Sequence, residues 1–225
     1  MTTVLAVIRP RDGDVDALCA RLRALREDQL ARIESSRAEV HLPGVVAPPG
    51  LGAGAITWEC VTDRSARGLL GHPAVFEALR GSAEVETAVT LLPLASGYAE
   101  TSPPLVKRTL LLRVRPDASA EARERFEADV AAMPEHISTI RSWRLSRVAG
   151  TGDDRERWTH AWEQEYAALD GLTGEYMTNP YHWTTVDAWF DAEVPGHVGE
   201  PELAHLFTAR DQPWSREELA LSATS

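Results

Sequence analysis

Three side chains in the second half of the chain are of types that can take part in proton transfer: Tyr176, His182 and Arg108. A histidine titrates near neutral pH and can take or give a proton. A phenol six residues before it, or an arginine fork, could steady the oxyanion formed when a base removes an acidic α-proton. The run Trp158-Thr159-His160-Ala161-Trp162-Glu163-Gln164-Glu165-Tyr166 alternates as a strand would. It places Trp158, His160, Trp162, Gln164 and Tyr166 on one face. That aromatic face, with Trp143 and Trp183, would suit a flat, conjugated substrate, and it would equally suit a core.

These groups need rigid elements beneath them. Residues 106–114 predict a strand with Val106, Arg108, Leu110, Leu112 and Val114 on one face and Lys107 on the other. Arg108 is the odd charge on an apolar face, and such a charge is costly unless paired or solvated, so it marks a pocket or a strand end. Residues 119–132 predict a helix with Phe126 and Val130 inward. Residues 137–148 predict a strand with Ile137, Thr139, Arg141, Trp143 and Leu145 on one face, joined to the aromatic strand by the turn Thr151-Gly152-Asp153-Asp154. After it comes a helix broken at Asn179-Pro180, and a new turn sets His182, Val186 and Trp189 on one side. Residues 183–203, with Pro195-Gly196-His197-Val198-Gly199, read equally as a lid or as a plain connection. A last strand is expected at 203–208, and a tail frayed from about residue 212 except where Trp214 docks.

The first half reads as a strand at 4–8 and a helix at 14–35, capped by Asp14 and lined by Val15, Leu18, Cys19, Leu22, Leu25 and Leu30. A Pro- and Gly-rich loop around at most a short strand follows at 42–55. A strand at 56–61, a helix at 65–79 and a strand at 85–94 complete a β-α-β-β-α-β order, which is that of a ferredoxin-like unit. Arg9-Pro10 recurs as Arg115-Pro116, His72-Pro73 as Asn179-Pro180, and Trp58-Glu59 as Trp162-Glu163, at offsets of 106, 107 and 104 residues. Near-constant offsets favour a duplicated unit, with one domain at 1–102 and a second, carrying the site, at 103–225. The counterpart of Asn179-Pro180-Tyr181-His182 is His72-Pro73-Ala74-Val75, so the first half carries Val75 where the second has His182 and serves as a structural partner.

The 225 residues carry a formal charge of -11, which offers no basic stripe to a nucleic acid. No leader pattern and no apolar run of membrane-spanning length is present, so a cytoplasmic protein with no membrane partner is expected. Cys19 and Cys60 are the only cysteines, and no metal-binding motif occurs, so no metal is expected.

The aromatic strand followed by Tyr176-x-x-Asn179-Pro180-Tyr181-His182 resembles the stress-responsive A/B barrel (Dabb) family of the dimeric α+β barrel superfamily, best over about residues 106–211. The family signature Tyr-x-x-His-Pro-x-His keeps its second histidine as His182, while its first has become Asn179. The resemblance implies an α+β fold in which two tandem ferredoxin-like domains pack as an α+β barrel within one chain. It leaves open a monomeric pseudo-dimer or a further homodimer. It also implies cofactor-free acid/base chemistry on a polyketide-like or aromatic small molecule, by aldol-type cyclisation, isomerisation or elimination. His182, Tyr176 and Arg108 would be catalytic, the last where some family cyclases carry a histidine. His160, Trp158, Trp162, Trp143 and Trp183 would contact substrate. Two alternatives stand beside this: a non-catalytic, stress-associated ligand-binding protein, and a haem or oxygen-using enzyme with His182, His160 or His197 as iron ligand.

Overall fold

The structure is a computed structural model describing residues 2–11, 15–25, 33–42, 51–103, 105–149 and 157–221. The chain runs β1 (Thr2–Pro10), α1 (Val15–Ala24), β2 (Ile33–Val40), β3 (Ile56–Thr62), α2 (Ala66–Leu70), α3 (Pro73–Leu79) and β4 (Ala83–Gly97). It continues with β5 (Leu105–Val114), α4 (Ala120–His136), β6 (Trp143–Val148), β7 (His160–Tyr166) and β8 (Gly199–Arg210), and ends in a helix at Arg216–Leu221. All pairings are antiparallel, in the order β2-β3-β1-β4-β6-β7-β5-β8. Each set of four has the ferredoxin-like order, and β4 joins the sets through β6. The two outer strands meet where His41 bridges Thr208 and the Leu42 N–H donates to the Phe207 carbonyl at 2.8 Å. The curled sheet is an α+β barrel, as the resemblance implied.

Three expected elements differ. The first helix ends at Ala24, and Ile33–Val40 is a strand, where the alternation of apolar residues had extended the helix to 35. Its sequence, IESSRAEV, is too polar to signal a strand because its partners are polar: Ser36 donates to the Leu22 carbonyl, and Glu39 reaches the barrel interior. The strand expected at 137–148 starts at Trp143, since α4 extends to His136 and Ile137 caps it. The tail expected to fray carries the helix Arg216–Leu221, held by the buried Trp214 and Leu219 and by an ion pair from Arg37 to Glu218 at 2.7 Å. Asp14, Leu30, the Thr151-Gly152-Asp153-Asp154 turn and most of the 42–55 loop lie outside the described residues.

Alternation along β5 and β7 sends neighbouring side chains to opposite sides of the sheet. The inward side holds a buried ionic cluster. Lys107 pairs with Glu59 at 2.5 Å and Glu163 at 2.7 Å, and Arg144 pairs with the same two carboxylates at 3.2 and 2.5 Å. Arg210 pairs with Glu39, Glu165 and Glu59 at 2.7, 3.0 and 3.4 Å. The Trp214 ring lies under Lys107, Arg144 and Arg210 at 4.7, 5.3 and 5.2 Å, and the backbone N–H of Trp214 donates to Glu165. Burial alone would raise the Glu59 carboxyl, but Lys107, Arg144 and Arg210 together hold it well below the usual range.

The outward side of each half packs on its own helices. Leu18, Leu22, Trp58, Leu69 and Val75 form one core, and Phe126, Met133, Trp162, Tyr166 and Tyr176 belong to the other. No helix among the described residues is long and apolar enough to cross a membrane.

Removing one partner from a buried ion pair leaves an uncompensated charge. Lys107→Met is expected to lose roughly 3–5 kcal/mol of stability in urea unfolding. Glu77→Ala, which breaks the exposed pair with Arg80, should stay within about 0.5 kcal/mol. Equal, small losses would show that the cluster contributes nothing to stability.

Candidate active site

The segment between β7 and β8 is helical but irregular. After Leu169–Gly171 it makes a π-helical turn at Leu172–Tyr176, another at His182–Val186 and a 3₁₀ turn at Asp187–Trp189. Such turns widen the helix and re-aim side chains, and they recur at functional sites. The Asn179-Pro180 break is fixed by Asn179, whose amide donates to the His136 carbonyl at 2.8 Å and whose Oδ1 accepts from the Tyr181 N–H at 2.9 Å. These turns bring Tyr176 and His182 over the outward faces of β5, β7 and β8, with ring centroids 4.4 Å apart.

Between the turns and the sheet lies a cavity of about 610 Å³, walled by apolar side chains that include Leu110, Leu112, Trp162, Phe190 and Phe207. Its polar groups are Arg108, Tyr176, His182 and His205 on the buried side, with Thr173, Asp187 and Asp191 towards the mouth. Arg108 is 3% exposed. Its Nη1 donates to Gln164 Oε1 at 2.9 Å and Tyr176 Oη at 2.7 Å, and its Nη2 donates to His205 Nδ1 at 3.0 Å. The guanidinium carbon sits 5.0 Å from the Tyr176 ring centroid.

A guanidinium can only donate, so His205 Nδ1 must accept and its proton must lie on Nε2. Burial, then Arg108, then His182 push the His205 pKa down to about 3, so the ring is neutral. His182 is also lowered: burial is the main cause, Asp187 opposes it and Arg108 adds to it. The His182 Nε2 faces Asp187 Oδ1 at 3.6 Å, while its Nδ1 is buried with no hydrogen-bond partner among the described residues. Arg108 therefore stands among neutral acceptors, beside an imidazole with a spare nitrogen.

Of the expected site residues, the structure brings together His182, Tyr176, Arg108 and Trp162. Four others lie elsewhere. His160 is clamped by Thr159 Oγ1 at 2.8 Å and Glu127 Oε1 at 2.9 Å, edge-on to Phe126, and so ties β7 to α4. Burial would raise Glu127, but hydrogen bonds from His160 and Arg147 bring it down to about 2. Trp158 precedes β7 and joins the inward apolar cluster with Leu5, Val7 and Leu111, because the chain bends at Thr159 and resets the alternation. Trp143 packs tilted against Trp162, ring centroids 5.4 Å apart, and over Gly97, where any side chain would collide with its indole. Trp183 is 56% exposed, turned out by the π-helical turn that turns His182 in.

His205 was given no role by the sequence reading, although the alternation of Leu203, His205 and Phe207 in the last strand is visible there. His197 Nδ1 donates to the Val194 carbonyl at 3.1 Å and its Nε2 accepts from Arg115 Nη1 at 2.8 Å. With His160 and His197 so engaged, an iron reading would rest on His182 Nδ1 alone. No group of three His, Cys, Asp or Glu placed to hold a metal ion occurs among the described residues. The 183–203 segment forms the cavity wall through Val186 and Phe190, and a side chain at Gly199 would collide with Phe190. In the first half, Val75 is fully buried in apolar core and His72 caps α3 by accepting from the Ala74 N–H at 3.3 Å.

Below the ordinary histidine value near 6.5 the unfolded chain takes up protons that folded His182 and His205 resist. Stability should therefore fall as pH drops from about 6.5. His205→Asn keeps an acceptor for Arg108 and does not titrate, so its melting temperature should fall less between pH 6.5 and 5. Parallel curves for the two proteins would show that His205 is not held neutral.

Comparison with known proteins agrees with this architecture. Residues 106–197 match the family model described as Stress responsive A/B Barrel Domain. No curated protein sequence matches the chain. Among solved structures, an anthrone oxidase-like protein superposes with a TM-score of 0.58 at 11% identity, covering 92% of this chain and 90% of its own. A mutant chlorite dismutase from Candidatus Nitrospira defluvii gives 0.57 at 12% identity, covering 99% and 95%. A major regulator of staphylococcal pathogenesis gives 0.51 at 9% identity, covering 93% and 99%. At such identities the likeness is one of fold, and the differing names show how little the fold fixes the chemistry. The likeness to the stress responsive A/B barrel domain thus falls in the second half of the chain, on residues that carry the cavity.

Proposed function

We propose that the second-half cavity is the active site of a cofactor-independent enzyme that abstracts a proton next to a carbonyl on a polyketide-like or aromatic small molecule, as an aldol-type cyclase, isomerase or lyase would. In this reading residues 1–102 form a structural unit without a site and residues 103–225 carry the chemistry. The observation that supports it best is the pairing, in one apolar cavity, of an imidazole having a free nitrogen with an arginine that polarises a phenol.

His182 is the base. Its lowered pKa keeps it unprotonated at neutral pH, and Asp187 facing Nε2 favours a proton there and a lone pair on Nδ1. Tyr176 Oη accepts from Arg108, so its own hydrogen is free for the developing enolate oxygen. The apolar walls exclude water and strengthen both interactions.

Proton abstraction can be followed without knowing the natural product. In D2O, the protein should accelerate deuterium uptake at the α-carbon of flat aryl ketones such as 2-tetralone. His182→Ala should lose roughly 10²-fold or more, and Tyr176→Phe less. Wild-type exchange by H182A with an unchanged pH profile would make the histidine structural. Binding of such ketones with no exchange in the wild type would favour the ligand-binding alternative.

A further inference from the structure

The buried wall of the cavity holds a cation, Arg108, that meets no carboxylate among the described residues. Among the described residues every other fully buried cation, Lys107, Arg144 and Arg210, meets at least two carboxylates. Arg108 is equally buried, yet among the described residues its hydrogen bonds go to an amide oxygen, an imidazole nitrogen and the Tyr176 phenol, with the Tyr166 phenol also beside it, and none of these is an anion. The carboxylates of the cavity, Asp187 and Asp191, are exposed at the rim. They add a screened repulsion at entry and do not neutralise the buried wall. An uncompensated buried charge is expensive, and the chain keeps this one where it touches a ligand-sized space.

The hydrogens around Arg108 point to the same missing partner. His205, accepting at Nδ1, must carry its proton on Nε2, and Tyr176, accepting at Oη, still has its own to give. Gln164 accepts through Oε1 and is left with a buried, unpartnered Nε2. One positive charge and the unused donors of Tyr176 and His205 thus lie on the wall of the cavity.

We infer that the ligand of this cavity is an amphipathic organic acid: an aromatic or polyketide-like body with one carboxylate, the carboxylate seated against Arg108, Tyr176 and His205. The inference rests on the reading of this cavity as the substrate site, and it makes His205 a substrate-contacting residue. It concerns binding in the ground state and adds no bond-making step. The reacting carbon is left to His182, on the facing helical segment.

Isothermal titration of the full chain at pH 7.5 with 2-naphthoate and its neutral isostere 2-naphthamide tests it. Wild type should bind the carboxylate at least about 10-fold more tightly than the amide, since a charge-assisted pair at a buried cation replaces a neutral one. Arg108→Met, checked for folding by its melting curve, should bring the ratio to about one. Should that variant not fold, the wild-type ratio still decides. Equal or tighter binding of the amide, or no binding of the carboxylate at millimolar concentration, overturns the inference. The outcome is separable from that of the proton-transfer reading. Deuterium uptake by 2-tetralone that depends on His182, without anion preference, would sink the inference alone. Anion preference without deuterium uptake would sink the catalytic reading alone.

Discussion

A buried guanidinium keeps its charge, because no protein environment makes it give up its proton. Whatever surrounds Arg108 must therefore accept hydrogen bonds, and that requirement settles the state of its neighbours. It fixes His205 as a neutral ring with its proton on Nε2, turns the Gln164 oxygen towards β5, and leaves the Tyr176 hydrogen free. It also lowers the pKa of His182, so the group proposed as base is unprotonated for reasons that include the group proposed to steady the product. The chemistry of the site thus follows largely from one strand residue.

Its position depends in turn on the barrel interior. Lys107 and Arg108 are consecutive in β5, and Glu163 and Gln164 are consecutive in β7, with Arg108 opposite Gln164 in the register. Alternation sends Lys107 and Glu163 inward to the ionic cluster and Arg108 and Gln164 outward to the cavity. A slip of one residue would put Arg108 among the interior charges and Lys107 in the cavity, so the cluster acts as a register lock for the site. Strands from the first half supply Glu39 and Glu59 to that lock. A half without a histidine site of its own still determines where the site of the other half stands.

The parts legible in the sequence were those set by local period. The alternation along β5 placed Arg108 on an apolar face, and the Asn179-Pro180 break placed His182 inward on a new turn. What stayed hidden depends on partners distant in sequence. Nothing near His160 announces Glu127, which turns it into a strut between β7 and α4. β2 escaped notice because a strand that feeds an ionic interior lacks the apolar alternation by which strands are found. The bend at Thr159 takes Trp158 off the face that the ideal period assigns it, and no period placed Trp183, which stands exposed on the π-helical turn. His205 sat in an expected strand, but only the fold reveals that Arg108 lies across from it.

Burial and Arg108 together hold the neighbouring imidazoles neutral, and histidine nitrogen NMR observes this directly. With ¹⁵N-labelled protein, long-range correlations to the ring protons of His205 should show one neutral tautomer, protonated at Nε2, with shifts unchanged between pH 8 and pH 5. His182 should likewise remain neutral at pH 7. An imidazolium at His205 in that range, or a proton on its Nδ1, would mean that the ring does not accept from Arg108 and would contradict the arrangement on which the proposed chemistry is built.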